Sequence, residues 1–68
     1  MSLRKKASRL IGKPVGVTRL DGTGVHGVLC KVSRKNIFLL VFIIDNIFSL
    51  DRIRLNEIKA IRKFPKYE

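Results

Sequence analysis

His26 and Cys30 are the only histidine and the only cysteine in this 68-residue chain, and they stand four positions apart. On a β-strand that spacing puts both on one face. A metal centre needs at least three protein ligands, and no further donor stands near these two. A cysteine nucleophile needs a histidine base and a group to orient it, and no acid is placed for that role. The five Asp and Glu residues are scattered among turn segments. Gly22-Thr23-Gly24 is followed by neither a Gly-Lys-Ser/Thr step nor a helix pattern, so it is not a phosphate loop. The expectation is a partly exposed histidine, a buried thiol, and a protein that is not an enzyme. No catalytic residue, metal ligand, cofactor or small-molecule substrate is expected.

Charge points to binding instead. Fifteen Lys and Arg against five Asp and Glu give a net charge of +10. Self-repulsion on that scale calls for a polyanionic partner, with nucleic acid first and an anionic membrane surface second. A charged surface with no specific partner is the plainer alternative. The cations fall in groups. Arg34 and Lys35 adjoin Asn36 in a polar connection, Arg52 and Arg54 end an apolar stretch, and Arg4, Lys5, Lys6 and Arg9 crowd the N-terminal segment.

The elements that must carry these groups can be read in order. Leu3, Ala7, Leu10 and Ile11 form a helical stripe, which predicts a short helix from Ser2 to Ile11. Ser2 is its expected cap and Gly12 its left-handed stop. Pro14 to Leu20 reads as a first strand, with Asp21-Gly22 as a turn that needs positive φ. Val25 to Val32 is the second strand, and its Gly27 suggests a bend or a close backbone approach. Ile37 to Ile44 is the third. Asp45-Asn46 turns into the fourth, Ile47 to Arg54, with Leu50 and Ile53 expected in the core. Leu55 to Glu57 is a short turn. Ile58, Ala60, Ile61 and Phe64 belong to a last strand, ended by Pro65. The fold class is mainly β: one helix, then five antiparallel strands. In so small a chain these are expected to curl into a strongly bent barrel of SH3-like or OB-like type, which hides strand edges. One domain is expected over residues 1–68, with the helix in 1–12, the barrel in 13–64 and a frayed tail in 65–68.

From Leu10 to about residue 62 the chain resembles the Sm-like family. In "LIGKPVGVTRLDGTGVHGVL", Leu10, Gly12, Lys13, Val15, Val17, Asp21, Gly22, Val25, Gly27 and Leu29 follow the first Sm motif without a gap. "NIFL" is similar to its closing Asn-apolar-x-Leu, with Asn36 on the Asn. "IRLNEI" is similar to the second motif, with Arg54 on its Arg. Arg19 stands at a usually apolar position, where Leu20 is expected to take over through a local bulge. Ser33 replaces the third-loop Asp, and Leu55 replaces a Gly. The resemblance implies an SH3-like barrel of Sm type that binds single-stranded RNA. Asn36 would meet a base edge and Arg54 a phosphate, with Arg34, Lys35 and Arg52 beside them. Stacking would fall to Arg34, because Phe38 is expected in the core.

The run Ile37 to Ile44 poses a burial problem: eight consecutive apolar residues supply both faces of one strand. It is far shorter than the ~20 residues of a membrane-spanning helix. Leaving one face in water would forgo roughly 1.5–3 kcal/mol for each large side chain. The resemblance supplies a cover, because Sm-like barrels join through their fourth and fifth strands into rings of about five to seven copies. A homo-oligomer is therefore expected. The alternative is a structural or protein-interaction barrel that assembles without specific RNA binding. Membrane attachment ranks last, since the helix stripe is narrow and lacks Trp and Phe. The basic N-terminus lacks the apolar region of a signal peptide, and a single cysteine suits a reducing setting, so a cytoplasmic location is expected.

Overall fold

The computed structural model describes residues 2–64, so the expected tail at 65–68 lies outside the described residues. Helix α1 is Leu3–Ser8. The strands are β1 Pro14–Arg19, β2 Gly24–Val32, β3 Asn36–Ile44, β4 Ile47–Arg54 and β5 Ile58–Lys63, with a 3-10 turn at Leu55–Glu57. Every ladder is antiparallel. The strands lie in the order β4-β3-β2-β1-β5. The chain is thus mainly β, as its turn signals predict. The sheet does not close on itself, however: β4 and β5 are its two edges and not neighbours.

The helix is shorter than its stripe suggests. Ser2 caps it as expected, accepting a hydrogen bond from the Lys5 N–H at 3.2 Å. The helix gives way after Ser8 to a turn that the sheet itself holds. The Gly12 N–H donates to the Leu29 carbonyl at 2.7 Å, and the Leu29 N–H donates to the Lys13 carbonyl at 3.1 Å. These bonds carry the β1–β2 ladder back beyond Pro14. Leu3, Ala7 and Leu10 pack on the core, while Ile11 stays exposed.

The core lies on one face of the sheet. Val15 and Val17 of β1, Leu29 of β2, Ile37 and Leu39 of β3, Ile53 of β4, and Ile58 and Ile61 of β5 are buried there, with Ala7 of the helix above them. Each such aliphatic side chain contributes about 1.5–3 kcal/mol by leaving water. Three register shifts coil the sheet around this layer, as bulges do. They fall at Cys30, Ile43 and Lys59, each an extra residue opposite a continuous partner. The shift at Lys59 explains how Ile58 and Ile61, three positions apart, both face inward. Val17 pairs with Ile61 and Arg19 with Ile58.

Several expectations change here. Arg19 keeps the inward position, half-buried, and Leu20 is turned out to water instead of replacing it. Leu50 alternates with Asp51 and faces away from the core, so it is exposed. Cys30, displaced by its bulge, is exposed and not buried. Phe64 falls outside β5 and lies against Gly16, with its ring stacked on that of His26 at 4.6 Å.

Two glycines do what their positions require. Gly22 turns β1 into β2 with φ +91°. Gly27 lets β2 pass close over β3, where a Cβ would press into the Leu40 carbonyl oxygen and approach Val41 Cα at 3.3 Å. The obstacle is backbone, so it cannot swing aside. Gly27→Ala is therefore expected to lower unfolding stability by about 1–3 kcal/mol. In denaturant titrations Gly24→Ala serves as the control, because its Cβ would meet only the Val17 carbonyl at an ordinary 3.7 Å.

Asp21 braces the same turn. The Thr23 hydroxyl and N–H both donate to Asp21 Oδ1, at 2.6 and 2.9 Å. The hydroxyl bond, more than the N–H bond, holds the carboxyl below the usual aspartate range. A folded-state pKa below the unfolded one stabilises the fold above the unfolded value and loses that effect as pH falls through the folded value. Asp21→Ala is expected to lower the Tm at neutral pH. The gap to wild type should close as the solution is acidified past the aspartate range.

Candidate nucleic-acid interface

One end of the β3–β4 hairpin gathers all five residues expected to contact RNA. The antiparallel register sets Asn36 opposite Arg54 and Phe38 opposite Arg52. Arg34 and Lys35 stand in the turn that leads into β3. Arg34, Lys35, Asn36, Arg52 and Arg54 line a shallow depression of about 670 Å³, with Leu55 and Asn56 completing it. Among the described residues, no acidic side chain lines it. Among the described residues, none of its four cations is held in an ion pair.

Hydrogen bonds between Ser33 and Asn36 brace the turn. The Ser33 N–H donates to the Asn36 carbonyl at 2.8 Å, and the Asn36 N–H donates to Ser33 Oγ at 3.1 Å. The Ser33 hydroxyl donates back to the Asn36 carbonyl at 3.2 Å. A serine hydroxyl thus braces the turn where the Sm pattern has an Asp. The Leu55 N–H donates to the Lys35 carbonyl at 2.8 Å, which ties the turn to the end of β4. Leu55 itself is half-buried and packs on the core. Asn36 spends its main chain on this turn. Its side-chain amide makes no hydrogen bond among the described residues and remains able to donate and accept at once.

Asn56 is a lining residue that the sequence reading did not single out. Its place two positions after Arg54 was the available signal. Phe38 is not a core residue. It is half-buried on the outer face beside Arg52, and the Lys31 ammonium lies 5.7 Å from its ring centroid. Among the described residues, no aromatic side chain lines the depression, so stacking by them falls to a guanidinium.

The second group of cations is separate. Arg4, Lys5 and Lys6 are exposed on α1, and Arg9 is its C-terminal cap residue. Lys6 and Arg9 meet Arg62 and Lys63 of β5 around Leu10, lining a depression of about 360 Å³ that shares no residue with the first. The contribution of Arg62 and Lys63 was also missed, although both are plain in the "IRK" that ends β5. His26 is exposed, and among the described residues no three His, Cys, Asp or Glu side chains are grouped to hold a metal ion. No helix among the described residues is long and apolar enough to cross a membrane. Comparison with protein-family models, curated proteins and solved structures finds no match to this chain.

Proposed function

We propose that this chain is an Sm-like RNA-binding protein that grips single-stranded RNA at the Asn36–Arg54 end of the β3–β4 hairpin and performs no catalysis. The observation that supports this reading is the depression itself: among the described residues, a braced turn and the end of β4 bring together four cations without ion-pair partners and an unengaged amide, with no carboxylate lining the same depression. Asn36 would read a base edge. Arg54 and Arg52 would hold phosphates, and Arg34 and Lys35 would supply a stacking plane and further charge. In this reading the coiled sheet is an SH3-like barrel of Sm type that works in a homo-oligomeric ring of about five to seven copies. The two free edges, β4 and β5, are unlike each other, and joining unlike edges head to tail generates a ring when the rotation between copies closes. A single thiol suits a reducing compartment such as the cytoplasm. A second reading is a structural or protein-interaction barrel that assembles without specific RNA binding. The lack of an aromatic among the described residues of the depression favours it.

Fluorescence anisotropy with short single-stranded RNA oligonucleotides, repeated over a salt series, separates the two readings. Arg54→Ala is expected to weaken binding and to reduce the log–log salt slope by about one. Asn36→Ala is expected to weaken binding to preferred oligonucleotides and leave the slope unchanged. Wild-type affinity in both variants would remove the RNA reading and leave the structural one.

A further inference from the structure

The far end of the same hairpin has an opposite character. Phe42, Ile43, Ile44, Ile47, Phe48 and Leu50 are each between 52 and 63 % exposed. They cover both faces of the ribbon, because the bulge at Ile43 turns neighbouring side chains in different directions. Phe42 and Phe48 are direct cross-strand partners and meet edge to face at 5.7 Å, a rigid aromatic pair held in water. From Phe42 to Phe48 the only polar side chains are Asp45 and Asn46, at the turn. Six side chains of this size, more than half exposed, present on the order of 600 Å² of apolar surface, at the upper end of what a typical monomer shows.

We infer that this apolar hairpin end is a self-association surface, which joins two copies of the chain end to end about a twofold axis. Three observations select a second copy as the occupant. The first is charge. No Lys or Arg occurs from Ile37 to Asp51, while Arg34, Lys35, Arg52 and Arg54 sit at the other end of the hairpin. The two ends are separated by eight residue steps, or about 26 Å along the strand. Chains of net charge +10 repel one another. Contact through the apolar ends keeps these cationic clusters as far apart as the hairpin allows.

The second observation excludes a bilayer. A membrane wedge needs cations beside its apolar tip to meet anionic headgroups, yet this tip leads with Asp45. The edge strand β4 would also carry unpaired N–H and C=O groups into hydrocarbon, where nothing satisfies them. The third is area. Two such ends would bury about 1,200 Å² in total, which reaches the range of specific interfaces. The surface is also self-complementary in kind, as a twofold contact requires. This contact uses the faces and tip of the hairpin and not the β4 backbone edge, so it is independent of the ring proposed above. It can pair single chains or stack two rings.

Light scattering on the wild-type protein and on two variants tests it. Phe42→Ser combined with Phe48→Ser removes the aromatic pair. Ile44→Lys places a charge at an exposed position of the tip and guards against misfolding of the first variant. Circular dichroism checks both folds. The expected result is a wild-type assembly with an even number of copies and variants of half that mass, with RNA affinity retained. A dimer that becomes a monomer supports the end contact without a ring, and a double ring that becomes a single ring supports both. A wild-type mass that both folded variants share overturns the inference. So does wild-type binding to anionic phospholipid vesicles that the variants lose without any change in mass.

Discussion

Everything in this molecule follows from having enough chain to cover one face of a sheet and no more. Five strands and one helical turn and a half converge on a single layer of valines, leucines and isoleucines, with Ala7 as the helix's only fully buried contribution. A chain this small has no second layer to offer. The sheet therefore coils over its inner face, and the bulges at Cys30, Ile43 and Lys59 are where it bends. Gly27 makes the tightest part of that coil possible by admitting the Leu40 backbone.

The same economy divides the β3–β4 hairpin into three zones. At one end the strands meet a hydrogen-bonded turn and present cations. In the middle, Ile37, Leu39 and Ile53 anchor the hairpin to the core. At the other end the ribbon outruns the core, and its apolar side chains have no partner within the chain. The nine residues of β3 extend for about 26 Å, most of the 36 Å longest dimension of the molecule. One rigid ribbon thus carries two surfaces of contrasting chemistry, held apart by the segment that stabilises both.

Strand boundaries were legible because the turns are written in residues with strong backbone preferences. Pro14 opens β1, Asp21-Gly22 and Asp45-Asn46 end hairpins, and Asn36 and Arg54 close the pair between them. The grouping of Arg34, Lys35, Asn36, Arg52 and Arg54 followed from that pairing. The facing of individual side chains was harder to read. A strand in which every residue is apolar carries no alternation, so Ile37–Ile44 could not disclose which residues would be buried or where the core would stop covering them. Bulges compound this, since a one-residue shift exchanges the faces. None of the three bulge residues is a glycine that might have marked it. Cys30 stands at such a bulge, whereas Leu50 faces out by plain alternation with Ile53, and Arg19 faces in by alternation with Val15 and Val17. Phe38 was misplaced for a simpler reason: it is aromatic, but its alternation with Ile37 and Leu39 puts it outside.

The order of the strands also sets how the chain must be assembled in time. Three ladders join consecutive strands, and the β3–β4 turn is only two residues long, so these pairings close short loops at small entropic cost. The β1–β5 ladder is different. It brings Val15 to Lys63 and Val17 to Ile61, the two ends of the sheet's own sequence. That one pairing carries nearly all of the topological cost of the fold. Until it forms, Ile58 and Ile61 have no layer to enter, and the helix has half of its support.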